Sequence, residues 1–117
     1  LEKIFSYLTS SIYEDLLSSD KVYREKEFTF EVPSYYYDKS LKSGKILTSG
    51  IADLIFVNDD VYTIVDYKTD NVNNLLELKD RYKVQLDLYE IALMNIMKAN
   101  KIRKFIYSIK FNEFIEV

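Results

Sequence analysis

Asp53, Asp66 and Lys68 are the residues whose types and spacing could do chemistry. They lie in residues 50–68, GIADLIFVNDDVYTIVDYK, which reads as two apolar, β-rich runs joined by a polar turn. Asn58-Asp59-Asp60-Val61 fits a two-residue hairpin loop with Asp59 and Asp60 at its tip. In that register Asn58 faces Val61, Val57 faces Tyr62 and Asp53 faces Asp66. Opposed side chains in such a pair have Cβ atoms roughly 4.5–5.5 Å apart, and like charges there destabilise the sheet. Lys68 follows Asp66 by two residues and so points to the same face. Two carboxylates and an ammonium converge on a half-buried surface. A divalent cation between the carboxylates is the simplest way to offset their repulsion. The competing reading makes Asp66 and Lys68 a weak ion pair at a strand end and Asp53 a polar residue on an exposed face. A strand as apolar as Ala52-Asp53-Leu54-Ile55-Phe56-Val57 has little exposed face, which counts against it.

The rest of the composition narrows the chemistry. The chain has no cysteine and no histidine. Disulfides, iron–sulfur clusters, thiolate zinc sites and imidazole acid–base chemistry are therefore excluded. A metal here must use carboxylates, carbonyls and water, which points to Mg²⁺, with Mn²⁺ or Ca²⁺ able to substitute. At 117 residues and 48% apolar content the chain is expected to be a single domain, residues 1–117, with a real core. The net charge of −3 argues against a strongly basic nucleic-acid binder. That objection is modest, since an acidic metal site itself lowers the charge. The apolar runs are too short for a signal peptide or membrane span, so a cytoplasmic protein is expected. The first residue is Leu1, inside an apolar pattern, which suggests a piece of a longer protein.

The elements that must position these residues follow from periodicity. Residues 1–19 are helical in character, with Ile4, Leu8, Ile12 and Leu16 as a stripe. Thr9-Ser10-Ser11 can break this helix, a capping serine starting a second one through Leu17. Glu14 and Asp15 on it either reach a metal or, more simply, form a solvated face. Residues 22–32 alternate as a strand, with Phe28, Phe30 and Val32 on one face and Glu25, Glu27, Thr29 and Glu31 on the other. Residues 34–48, with Tyr35-Tyr36-Tyr37 and several lysines, read as a hairpin extension or a loop near the site. Those tyrosines suit either base stacking or plain packing. After the hairpin and a polar connection, residues 69–74, a helix is expected over residues 75–99. Its inner stripe is Leu78, Tyr82, Gln85/Leu86, Tyr89, Leu93 and Ile96. Gln85 and Tyr89 lie one turn apart on that stripe and, if buried, need partners. Asn100 suits the C-terminal side of this helix. Residues 103–110 form another strand, and residues 111–117 a short last one. Lys98, Lys101, Arg103 and Lys104 form a basic cluster that either contacts phosphates or complements the helix C-terminus. The order predicts an α/β fold, a mixed central sheet with helices on both faces.

Three motifs together carry a resemblance. Gly50-Ile51-Ala52-Asp53, then Val65-Asp66-Tyr67-Lys68-Thr69-Asp70, then Gln85-Leu86-Asp87-Leu88-Tyr89 resemble the PD-(D/E)XK nuclease superfamily in its RecB-like branch. Within that branch the chain is similar to the C-terminal nuclease domain of AddA-type subunits of bacterial helicase–nucleases. Tyr23-Arg24-Glu25-Lys26-Glu27-Phe28 is similar to those subunits' stretch before the first core strand. The resemblance implies a restriction-endonuclease-like fold and a Mg²⁺-dependent DNA exonuclease acting in double-strand-break repair and recombination. Asp53 and Asp66 would ligate the metal, aided by the backbone carbonyl of Tyr67. Lys68 would orient or deprotonate the attacking water, or stabilise developing charge on the phosphate. Next to two carboxylates it should stay charged, which favours the last role. Gln85 and Tyr89 would support the site and contact DNA. Thr69 and Asp70 complete the signature without an assigned role. The implied partners are DNA, helicase domains of the same parent chain and a second subunit of AddB type. Family members usually add a histidine ligand from an upstream helix, and this sequence has none. Two rival readings stand beside this one: a stand-alone nuclease of the same superfamily, and an inactive nuclease-like scaffold that binds DNA or a subunit.

Overall fold

The central hairpin forms as its pattern requires. In the computed structural model, which describes residues 10–36, 38–40 and 42–117, strand β2 spans Lys45–Asn58 and β3 spans Val61–Lys68. Asp59 and Asp60 both take positive φ, 47° and 66°, as a tight two-residue hairpin turn needs. The predicted register holds, with Asn58 opposite Val61 and Leu54 opposite Val65. Strand β1, Lys21–Pro33, pairs antiparallel with β2. Helix α2, Leu75–Ile96, then crosses to β4, Lys101–Ser108, which runs parallel to β3. Strand β5, Glu113–Glu116, closes a five-stranded mixed sheet in the order β1-β2-β3-β4-β5. Of the two readings of residues 34–48, hairpin extension or loop, residues 45–48 take the first: they extend β2, paired with residues 30–33.

Helices cover both faces, as expected. The short helix α1, Ser11–Leu17, starts at the capping serine Ser10, whose hydroxyl accepts the Tyr13 amide at 3.1 Å. Its Ile12 and Leu16 pack with Leu54, Phe56, Val65, Phe105 and Tyr107. The expected stripe positions Ile4 and Leu8, with Thr9, lie outside the described residues, as does Tyr37. Helix α2 packs on the other face through Leu78, Leu86, Leu88, Tyr89, Ala92 and Leu93, against Phe28, Phe30, Ala52, Ile55, Ile64 and Ile106. Its N-terminus carries a reciprocal cap: the Asn74 side chain accepts the Glu77 amide at 2.9 Å and Glu77 accepts the Asn73 amide at 3.1 Å.

Helix α2 ends three residues early. Lys98, not Asn100, takes the left-handed conformation at φ 59°, and the Ala99 amide reaches back to the Leu93 carbonyl at 3.2 Å. Ile96, expected on the inner stripe, is exposed, and Met97 packs on the core in its place. Among the described residues no helix is long and apolar enough to cross a membrane.

Candidate active site

The sheet changes phase where the acidic residues sit. Toward one end of β1 and β2, Phe28, Phe30, Val32 and Ala52 face helix α2; toward the other, Tyr23 and Ile55 do. Strict alternation cannot place both sets on one face, so the strands must switch between them. The switch falls at Glu25, which has φ 51°, and at Asp53, the position across from it. That pair is missing from an otherwise continuous β1–β2 ladder. The β2–β3 ladder also stops at Leu54–Val65, one position short of Asp53 and Asp66. In place of the next rung, the Asp53 carboxylate accepts the Tyr67 amide at 2.9 Å. The strands splay at this point, and the predicted Asp53–Asp66 opposition survives as side chains meeting in the gap rather than as a ladder pair.

The predicted constellation is brought together on the α2 side of the sheet. The carboxylates of Asp53 and Asp66 lie within hydrogen-bonding reach of each other. The Lys68 ammonium lies 2.9 Å from Asp66 Oδ2. Asp66 is only 3% exposed, and the Lys68 ammonium is the counter-charge to its buried Oδ2, although no donor is well aligned on that oxygen. Burial, then the neighbouring Asp53 carboxylate, push the Asp66 carboxyl up to about 6, although Lys68 pulls the other way. Burial would lower the Lys68 ammonium, but the Asp66 carboxylate outweighs it, and Lys68 is held above its ordinary value and charged.

Helix α2 supplies the far wall. Tyr89 donates its hydroxyl proton to the Ile51 carbonyl at 2.9 Å, beside Asp53. Its single proton being spent there, the hydroxyl can only accept from Gln85 Nε2, at 3.3 Å. This fixes the Gln85 amide and leaves its buried Oε1 without a partner. Gly50 makes the contact possible, because a Cβ there would lie 2.7 Å from the Tyr89 ring. The glycine of the first motif and the tyrosine of the third are thus two sides of one close approach. Beside Asp53 opens a cleft of about 1030 Å³, lined among others by Arg24, Glu25, Lys26 and Ile51.

Other candidates do not join the site. Asp15 pairs with Arg103 at 3.3 Å, on the opposite face, and Glu14 is exposed. The basic cluster is not one patch. Lys104 is bound to Asp87 and Glu90 at 2.8 and 2.6 Å, whereas its strand neighbour Arg103 pairs with α1 across the sheet. Tyr35 is exposed, and the side chains of Tyr36 and Tyr37 lie outside those described. Two further contributors have roles at the site that periodicity does not show. Tyr82 presents its ring to the Lys68 ammonium at 4.0 Å, and Asp70 accepts the Tyr82 hydroxyl at 2.8 Å. Position Tyr82 is legible in the sequence only as a stripe residue, and Asp70 only as part of a signature.

The donor set fits a hard divalent cation. Two oxygen-bearing side chains converge from adjacent strands, and one buried carboxylate oxygen lacks a hydrogen bond. Among the described residues no third acidic side chain completes a metal-binding group with them.

Comparison with known proteins identifies a family. The model of the PD-(D/E)XK nuclease superfamily matches residues 2–116. The chain is 32% identical over 120 residues to an ATP-dependent helicase/nuclease subunit from Clostridium botulinum (strain Okra / Type B1), covering 98% of this chain and 9% of the relative. It is 31% identical over 121 residues to the protein of the same name from Staphylococcus saprophyticus, covering 96% of this chain and 10% of that protein. The chain therefore spans about a tenth of the length of the curated relatives it matches. It belongs to the PD-(D/E)XK nuclease superfamily, and its mixed sheet flanked by helices is consistent with the restriction-endonuclease-like fold.

Proposed function

We propose that this chain is the DNA-cleaving part of a helicase–nuclease, a metal-dependent exonuclease that hydrolyses phosphodiester bonds during double-strand-break repair and recombination. One observation carries the reading: the Asp53 and Asp66 carboxylates meet on one face with the Lys68 ammonium 2.9 Å from Asp66. The names of the relatives support a parent chain with helicase domains and DNA as substrate. A second subunit of AddB type is what the resemblance implies, and a cytoplasmic setting is part of the same proposal.

Asp53 and Asp66 would hold Mg²⁺, with the Tyr67 carbonyl beside them. When bound, the cation lowers the pKa of a water and neutralises phosphate charge. Asp66 is ready for that role because burial and Asp53 make its charge costly without a counter-ion. Lys68, held charged, is a donor and a positive centre for developing phosphate charge, not a base. Tyr89 and Gln85 fix the β2 backbone at Ile51, next to the Asp53 ligand. The cleft flanked by Arg24 and Lys26 gives a phosphodiester strand a way to Asp53.

The test is Asp66→Ala in the full-length parent protein. Mg²⁺-dependent DNA cleavage should vanish while unwinding persists, and surviving cleavage would overturn the proposal. One observation favours the second reading, an inactive scaffold: no third acidic ligand joins the pair among the described residues. Calorimetric titration with Mn²⁺ separates the two. A nuclease site binds it through Asp53 and Asp66; a scaffold does not.

A further inference from the structure

We propose that Tyr82, held by Asp70, is the positioning residue for Lys68: its ring is the perch that keeps the ammonium at the site when Asp66 engages a cation. The inference rests on the nuclease reading above. Among the described residues, two contacts fix the Lys68 head group, Asp66 Oδ2 at 2.9 Å and the face of Tyr82 at 4.0 Å from the ring centroid. Only the second is independent of the metal. A cation on Asp66 draws on the same carboxylate charge that now attracts the lysine, so the ion pair weakens just when the ammonium is needed. A cation over an aromatic face is held by the ring quadrupole, which competes with no ligand.

The ring is itself held in place. The Tyr82 hydroxyl donates to Asp70 Oδ2 at 2.8 Å, with Oδ1 at 3.1 Å. Arg81 grips the same carboxylate at 2.6 Å. The Arg81 and Tyr82 hydrogen bonds hold the Asp70 carboxyl below its usual range, so it remains an anion. Burial and Asp70 push the Tyr82 hydroxyl up, so it remains a neutral donor. Donation to an anion enriches the ring and strengthens its negative face. The loop carrying Asp70 is pinned too. Lys110 Nζ bonds Asn71 Oδ1 and the Val72 carbonyl, both at 2.6 Å, and the Ile109 amide bonds the Lys68 carbonyl at 3.0 Å. A residue that served only to fill the stripe would need none of this anchoring.

The experiment compares Tyr82→Leu, Tyr82→Phe and Tyr82→Trp in the full-length protein, reading kcat and KM for DNA cleavage and Mn²⁺ affinity by calorimetry. Tyr82→Leu should lower kcat about tenfold, with KM and Mn²⁺ affinity within about twofold of wild type. Tyr82→Phe and Tyr82→Trp, which keep an aromatic face but lose the hydroxyl tie to Asp70, should fall between, about threefold below wild type in kcat. If the leucine variant does not fold by circular dichroism, Tyr82→Met takes its place under the same criteria. Wild-type kcat in the leucine variant overturns the proposal while the nuclease reading stands. So does a phenylalanine variant as impaired as leucine, or a parallel loss of Mn²⁺ binding, which would mark a structural role. A wild type that neither cuts DNA nor binds Mn²⁺ overturns the nuclease reading and this proposal with it.

Discussion

The two ends of one hairpin are built on opposite terms. At the tip, Asp59 and Asp60 turn the chain and the ladder runs unbroken from Asn58–Val61 to Leu54–Val65. There Ile55, Ile64 and Val65 are fully buried, and every local preference agrees with the fold. At the open end the ladder stops, a side chain replaces a rung, and two carboxylates face each other beside a left-handed Glu25. Within a few residues the same strands pass from consistent pairing to stored repulsion. Such local conflict persists only where the surrounding structure enforces it, and it tends to mark a functional site. The tip holds the hairpin together while the open end carries the repulsion that the proposed cation would relieve.

That contrast can be broken most forcefully at Asp66. Asp66→Asn should abolish Mn²⁺ binding in calorimetry yet raise stability without metal at pH 7 by about 2 kcal/mol, read from denaturant melts. A variant less stable than wild type would mean that the open end stores no repulsion. The same residue sets a pH dependence. Folding raises its carboxyl from 3.8 to about 6, so folding favours the protonated form. That contribution to stability is complete below pH 3.8 and is lost as pH rises through about 6. The stability gap between wild type and Asp66→Asn should therefore narrow as pH falls through 6, and Mn²⁺ affinity of the wild type should weaken over the same range. A gap independent of pH would locate the conflict elsewhere.

Gly50→Ala comes next. Its Cβ would lie 2.7 Å from a buried ring, so Tyr89 must shift. The expected cost is roughly 1–3 kcal/mol in melts, with lower cleavage because Ile51 loses its anchor beside Asp53. The smallest effect belongs to the tip. Asp60→Val places a β-branched residue at φ 66° and should cost about 1–2 kcal/mol, with Mn²⁺ affinity unchanged. Loss of Mn²⁺ binding there would show that the two ends are not separable.

Much of this is readable in the sequence because it rests on short-range rules. The turn at Asp59-Asp60 fixes the register, and the register brings the Asp53 and Asp66 side chains together just past the end of the ladder. Helix α2 follows from its stripe, and Ser10 from its capping chemistry. What spacing misplaces depends on partners distant in the chain. Composition leaves residues 45–48 open between hairpin extension and loop, and their partner in β1 decides for strand. Arg103 and Lys104 look like one cluster with Lys98 and Lys101, yet adjacent strand residues point to opposite faces. Ile96 keeps the helical period but stays exposed, with Met97 on the core instead.

The sequence by itself determined which side chains could carry chemistry, and that any metal ligand from this chain would be an oxygen. Composition and a two-residue turn are local facts, and no distant contact could change them. Only the tertiary structure decided that the strands splay at Asp53, that Glu25 adopts a left-handed backbone without glycine, and that Tyr82, tied to Asp70, reaches Lys68. Each of these depends on which element packs above or beside the residue, and packing partners far apart in the chain leave no mark in the spacing of residues along it.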